Sequence, residues 1–191
     1  MRKMITEKIN GEERQYPQGV TYEDVANDYQ QEYENLIALA ARDGKIRELF
    51  KKLTRDCEVT FFTLKDDVGN KTYVRSATML FLKAVFDVYG REAAQSCRVE
   101  FAIGNGSYIS PRGQIAATED NAAKIRDRMR ELVEAKTPFL KRSYSLDNAM
   151  ELFHKEGMKD KEKLFRYRRG SFLNIYEMDG YYDYYYGYML P

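Results

Sequence analysis

The dipeptide Asn10-Gly11 limits the fold more than any other feature of the sequence. It lies between two short strand-like runs, Met4 to Ile9 and Glu13 to Tyr16, and Asn-Gly is the pair that best accepts the backbone of a two-residue hairpin. The chain therefore opens as antiparallel strands. Thr21 follows as a helix cap with Asp24 at the capping-box position. Tyr22, Val25, Ala26 and Tyr29 then recur at i, i+3, i+4 and i+7, which makes one apolar stripe. "LIALAAR" (Leu36 to Arg42) reads as a strand turned by Asp43-Gly44, and the β-branched and aromatic "CEVTFFTL" (Cys57 to Leu64) closes the sheet. Two hairpins and one helix on one face predict a small α+β unit.

The polar, turn-rich "KDDVGN" (Lys65 to Asn70) predicts a boundary between a first domain, residues 1–66, and a second, residues 67–191. The second is expected to begin with a helix from about Ser76 to Tyr89. That segment is apolar nearly all round apart from Ser76, Lys83 and Asp87 along one stripe, as in a helix central to a core. "SCRVEFAIGNGSYIS" (Ser96 to Ser110) predicts a hairpin turning at Asn105-Gly106. Thr118 caps a helix with Ala122, Ile125, Met129, Leu132 and Val133 on its buried face. Ser145 caps another, with Leu146, Ala149, Met150 and Phe153 at helical spacing and Gly157 as its stop. "GSFLNIYEM" (Gly170 to Met178) alternates like a strand, and Asp179-Gly180 turns it into "YYDYYYGYML" (Tyr181 to Leu190). An antiparallel sheet from Gly170 to Leu190 against the Ser76 helix is the expected arrangement.

Charge narrows the function. With 31 basic and 30 acidic side chains there is no global field to draw the chain to nucleic acid or a membrane, so any such affinity has to be local. Met1-Arg2-Lys3 is not followed by the apolar stretch of a signal peptide, and the most apolar run, Ala77 to Tyr89, is too short for a bilayer. Cys57 and Cys97 are the only cysteines. These features predict a reduced, cytoplasmic protein with no membrane partner. The lone histidine, His154, has no second ligand near it in sequence and reads as structural or exposed, so chemistry that needs several histidines is excluded. Lys83 and Asp87, at i and i+4, read as a helix-face ion pair or as the lining of a cleft. Seven basic and three acidic side chains lie between Lys155 and Arg169. A solvated helix face accounts for the first part of that run but less well for "RYRR", so Arg166, Arg168 and Arg169 are the candidate phosphate- or RNA-binding residues.

On "AIGNGSYIS", the Thr118 helix, "SYSLDNAMELF" and the closing Y-x-D stretch, the chain resembles the front of threonyl-tRNA synthetase. Residues 1–66 resemble a TGS domain, the ubiquitin-like β-grasp module of that synthetase and of some GTPases. Residues 67–191 resemble the editing domain, or second additional domain, that follows it. In that family an H-x-x-x-H on the first long helix and a C-x-x-x-H near the end converge on a metal or on the misacylated tRNA end. Matching helix to helix puts the first pair at Arg75 and Met79. The closing pattern Y-x-D-x-C-x-G-P-H-x-P reads "YYDYYYGYMLP" here, which keeps Tyr181, Asp183, Gly187 and Pro191 but puts Tyr185 and Met189 at the Cys and His positions. Arg, Met, Tyr and Met supply neither zinc ligands nor a base that titrates near neutrality. The resemblance thus implies a degenerate editing site, with the four positions close in space, no catalytic residue and no metal.

"KTYVRSATMLFLKAV" and "MKDKEKLFRYRRGSFLNIYEMDGYYDYYYGYMLP" also resemble the front of bacterial uridine-kinase-like nucleoside kinases, in which a TGS domain and a degenerate editing-like domain precede a P-loop kinase. That likeness implies a non-catalytic regulatory or ligand-binding portion with nucleotide or tRNA as a ligand. A downstream kinase domain in the same chain would be its partner, and ATP and magnesium would be the parent's cofactors. The sequence itself has no G-x-x-x-x-G-K-[ST], so it provides no such cofactor site. A free-standing aminoacyl-tRNA deacylase and an oligomerisation module are the alternatives. The tyrosine stretch reads as the closing strand, with a ligand-stacking platform or a sticky tail as the other possibilities.

Overall fold

The computed structural model describes residues 3–104, 106–113 and 115–191, so Met1, Arg2 and the expected turn residue Asn105 lie outside the described residues. The chain forms two compact units, Met1–Ser76 with Tyr186–Pro191, and Ala77–Tyr185.

In the first unit β1 (Met4–Ile9) and β2 (Glu12–Pro17) form the hairpin at Asn10-Gly11, with Ile9 opposite Glu12. Helix α1 (Tyr22–Tyr29) starts on Thr21. The Asp24 N–H donates to the Thr21 hydroxyl and the Thr21 N–H donates to the Asp24 carboxylate, each at 3.1 Å. A 3-10 turn, Gln30–Glu32, leads into β3 (Ile37–Arg42), which pairs with β4 (Lys45–Glu48) and β5 (Cys57–Thr63). The strand order is β2-β1-β5-β3-β4, with β1 and β5 parallel and the other pairs antiparallel. All four stripe residues of α1 pack with Ile5, Ile9, Ile37, Leu53, Val59 and Phe61 in one continuous core. Each such aliphatic side chain contributes about 1.5–3 kcal/mol when fully buried.

Helix α2 (Asp67–Tyr89) begins at Asp67 rather than near Ser76. The polar stretch from Lys65 to Asn70 holds the turn out of β5 and the first turn of the helix. The Asp66 carboxylate accepts from the Thr63 N–H at 2.6 Å, and the Asn70 N–H donates to the Asp66 carbonyl at 2.8 Å. Residues that suit a turn suit a helix start for the same reason, since their short side chains bond to nearby backbone. Gly69 allows strand and helix to meet so closely, because a Cβ there would lie 1.9 Å from the Thr63 carbonyl oxygen.

The second unit takes up α2 from Ala77 and continues through α3 (Arg91–Ser96), β6 (Arg98–Ile103), β7 (Gly106–Ser110), α4 (Glu119–Glu134), β8 (Leu140–Ser145), α5 (Leu146–Lys155), α6 (Lys159–Phe165), β9 (Phe172–Met178) and β10 (Tyr181–Asp183). β6 and β7 form a separate two-stranded ribbon, while β10, β9 and β8 form an antiparallel sheet in that order. Ala149 and Phe153 of α5, Phe165 of α6, and Leu173 and Ile175 of β9 belong to one apolar cluster. α5 starts on Ser145 and stops at Gly157, where the Gly157 N–H reaches the His154 carbonyl and the Met158 N–H the Phe153 carbonyl.

Four expectations need correction here. α3 and β8 were not anticipated. The buried face of α4 is narrower than its apolar spacing suggests: Ile125 and Leu132 are buried, but Ala122 and Val133 are exposed. On α2 the pattern is partly inverted, since Ser76 and Lys83 are buried while Val74 and Val88 are exposed. The closing strand ends at Asp183 instead of continuing to Leu190, because the Asp183 carboxylate takes the Tyr184 N–H at 2.7 Å and diverts a donor from the ladder.

Candidate functional site

The four positions matched to the editing motif divide between the units, with Arg75 and Met189 in the first and Met79 and Tyr185 in the second. In the first unit, one Arg75 guanidinium nitrogen donates to the Tyr188 carbonyl at 2.8 Å. Gly187, at φ 138°, sits so close that a Cβ would lie 2.6 Å from the guanidinium carbon. The Leu190 N–H donates to the Ser76 hydroxyl at 2.9 Å, and the Met189 N–H donates to the buried Glu48 carboxylate at 3.2 Å. The Met189 side chain is 0 % exposed, with its sulfur 3.5 Å from Ser76 Oγ. Residues 187–190 thus form a strap whose backbone groups are tied by Arg75, Ser76 and Glu48.

In the second unit Met79 is fully buried. Burial pushes the Tyr185 phenol well above its ordinary value, and the Asp183 charge adds to the effect. Asp183 is itself buried beside Lys161, at 3.3 Å. Burial holds its carboxyl above the ordinary carboxylate value although Lys161 opposes this. Burial alone would lower Lys161, but the Asp183 and Asp160 charges carry it upward. Lys83 is 2 % exposed and spends its ammonium group on Asp87 at 2.7 Å, the Asp179 carbonyl at 2.7 Å and the Asp179 carboxylate at 3.3 Å. Asp87 also receives Arg128 at 2.9 Å. The helix-face pair is present, and its ammonium is also bonded to the turn between β9 and β10.

Neither unit's pair of these side chains fits zinc. A cationic guanidinium engaged with a carbonyl, two buried thioethers and a phenol held protonated are not the thiolate, imidazole and carboxylate ligands that zinc takes. Among the described residues no group of three or more His, Cys, Asp and Glu is placed to hold a metal. The thiols are no better as nucleophiles. Burial, together with a 2.8 Å hydrogen bond to the Glu7 carboxylate, pushes Cys57 up to about 12, and burial raises Cys97. His154 is exposed, 3.5 Å from Glu162. No helix among the described residues is long and apolar enough to cross a membrane.

The cationic residues lie where α6 passes into β9. Arg166 caps α6, Arg168 lies over the Phe165 ring at 5.4 Å with a nitrogen 3.4 Å from the Tyr184 hydroxyl, and Arg169 follows. Among the described residues, neither Arg166 nor Arg169 has an ion-pair partner. Sequence reasoning missed Glu48, Ser76 and Lys161 as site-forming residues. Their partners are far along the chain, so no local pattern marks them.

No family model matches the chain. It is 24% identical over 180 residues to the threonine–tRNA ligase of Thermotoga petrophila and 26% identical over 180 residues to that of Thermotoga maritima, covering 87% of this chain and 27% of each ligase. It is 26% identical over 175 residues to the threonine–tRNA ligase of Rhizobium etli, covering 91% of this chain and 26% of that ligase. The similarity is distant, extends over most of the chain and lies in the N-terminal part of these ligases, so the chain spans about a quarter of their length. The mixed five-stranded sheet with smaller sheets is consistent with that region. The nucleoside-kinase likeness gains no support from these relatives.

Proposed function

We propose that this chain is a non-catalytic RNA- or nucleotide-binding counterpart of the N-terminal part of threonine–tRNA ligase. In this reading the first unit is a TGS-like β-grasp, supported by the order β2-β1-β5-β3-β4 with one helix after the first hairpin. The second is an editing-like unit without its chemistry, and the positions matched to the editing motif carry Arg75, Met79, Tyr185 and Met189. The observation that carries the reading is Met189. At the position where the family pattern has a histidine, a thioether is fully buried, on a strap tied by Glu48 and Ser76. With the hydrolytic groups replaced, binding is what remains, and the cluster of Arg166, Arg168 and Arg169 is where phosphate is met, with Arg168 engaged by Phe165 and Tyr184.

Two measurements on the purified chain test this. Aminoacyl-tRNA incubated with it should lose its ester no faster than in buffer. Ester loss that tracks protein concentration would replace this reading with that of a deacylase. tRNA retention across a salt series should give a log–log slope near −2 if about three single-strand phosphates are neutralised. No binding at low salt would remove RNA recognition and leave docking to another protein domain as the role of the patch.

A further inference from the structure

The passage from α6 to β9 presents one side chain that phosphate binding alone does not explain. Arg168 is turned inward onto Phe165 and Tyr184, and its N–H donates to the Phe165 carbonyl at 3.0 Å. Phe165 belongs to the buried cluster of the second unit, so this passage is braced on the core. Between the braced Arg168 and the helix-capping Arg166 stands Tyr167, 85 % exposed. Leu164 at 62 % and Phe172 at 64 % are exposed on the neighbouring elements. The nearby acids are engaged elsewhere: Glu162 lies 3.5 Å from His154, Asp160 pairs with Lys161, and Glu156 pairs with Arg91. The charge of Arg166 and Arg169 is therefore not cancelled locally.

A nearly bare tyrosine between two uncompensated guanidinium groups, on a braced turn, is suited to a flat apolar ring whose neighbours carry negative charge. Unpaired nucleotides fit that description, because their base faces are free to stack while the backbone offers a phosphate on either side. A duplex hides those faces. A phosphorylated peptide would use the arginines but has no need of the ring. We infer that Tyr167 is a base-stacking platform for single-stranded RNA, with Arg166 and Arg169 holding the adjacent phosphates and Arg168 positioning the turn. This rests on the RNA-binding reading above and names which form of RNA is bound and which residue selects it.

The test is fluorescence anisotropy with a labelled mixed-sequence decaribonucleotide, the matching duplex and a phosphoserine peptide, across a salt series. The proteins are wild type, Tyr167→Ala, Tyr167→Phe and Arg166→Ala/Arg169→Ala, each checked by circular dichroism for an unchanged fold. The single strand should bind best. Tyr167→Ala should weaken it roughly tenfold with an unchanged salt slope, since stacking releases no counterions, and Tyr167→Phe should restore binding. The double arginine variant should instead flatten the slope by about 1.4, at 0.7 per phosphate contact. If wild type binds the strand and Tyr167→Ala binds it equally well, the stacking inference fails while the RNA reading stands. A duplex or phosphopeptide bound as tightly as the strand overturns the inference in the same way. If wild type binds no RNA at low salt, the reading beneath it fails as well.

Discussion

Glu7 and Lys83 are both removed from solvent, one in each unit, and their surroundings differ in kind. Glu7 lies on β1 between Ile5 and Ile9, and its one hydrogen-bond partner among the described residues is the Cys57 thiol. Its second carboxyl oxygen and the phenol oxygens of Tyr22 and Tyr29 are buried with no hydrogen-bond partner among the described residues. Lys83 has three oxygens, two of them carboxylate. Among the described residues the first unit thus holds three buried oxygens with no hydrogen-bond partner, at about 1–3 kcal/mol each, and the second unit one, the Tyr185 phenol oxygen. The second also buries many apolar side chains, among them Met79, Val85, Phe153, Ile175 and Tyr176, and adds paired charges, Lys83 with Asp87 and Asp179 and Lys161 with Asp183. Both units rest on apolar packing, and what differs is how their buried ionisable groups are partnered.

Lys83→Met should have the largest effect. Removing one member of a buried ion pair leaves Asp87 and the β9–β10 turn short of a donor and should cost about 3 kcal/mol. Native-state hydrogen exchange should show the loss in α2, β9 and β10. An equal loss of protection in β1 to β5 would show that the effect is not confined to the surroundings of Lys83. Thr21→Ala should cost about 1 kcal/mol through the lost cap of α1, and should be confined to the first unit. Tyr22→Phe sharpens the contrast, because it deletes a hydroxyl with no hydrogen-bond partner among the described residues and should be neutral or stabilise by less than about 1 kcal/mol. A clear loss in urea midpoint would mean that the hydroxyl is satisfied by solvent within the core.

The smallest effect at any single pH is expected from Glu7→Gln. Burial raises the Glu7 carboxyl above its ordinary value near 4.5, the Cys57 hydrogen bond opposes this, and the Asp56 and Asp43 charges add to it. A folded-state value above the unfolded one means that the folded chain holds the proton more tightly. Its contribution is therefore complete below about 4.5 and is lost as pH rises through the folded value. Urea midpoints should show the wild type declining relative to Glu7→Gln across that window. Parallel profiles would show that Glu7 is as well solvated as a surface carboxylate.

What was legible in the sequence had its partners close by. Asn10-Gly11, Thr21 with Asp24, and Ser145 before α5 act within a few residues, and each appears where the spacing predicts. Apolar spacing located α4 but overstated its buried face, because a stripe of side chains does not say how much of it meets another element, and Val133 is left exposed. The candidate site was visible only as identities. Arg75, Met79, Tyr185 and Met189 could be picked out, but the burial of Met189 depends on Glu48, 141 residues away. Lys161 gives no local sign of facing Asp183. Long-range pairing of this kind leaves no periodic trace.

The strap has a consequence for the order in which the chain is made. Residues 186–191 belong to the first unit, yet everything from Ala77 to Tyr185 is synthesised before them. At about 5–20 residues per second that interval lasts roughly 5–20 s. During it β1 to β5 can pair, but Glu48 and Ser76 still lack the backbone donors of Met189 and Leu190. The first unit to leave the ribosome is thus the last to be completed. A ribosome stalled before residue 186 would release a chain whose opening sheet is formed but not yet fastened.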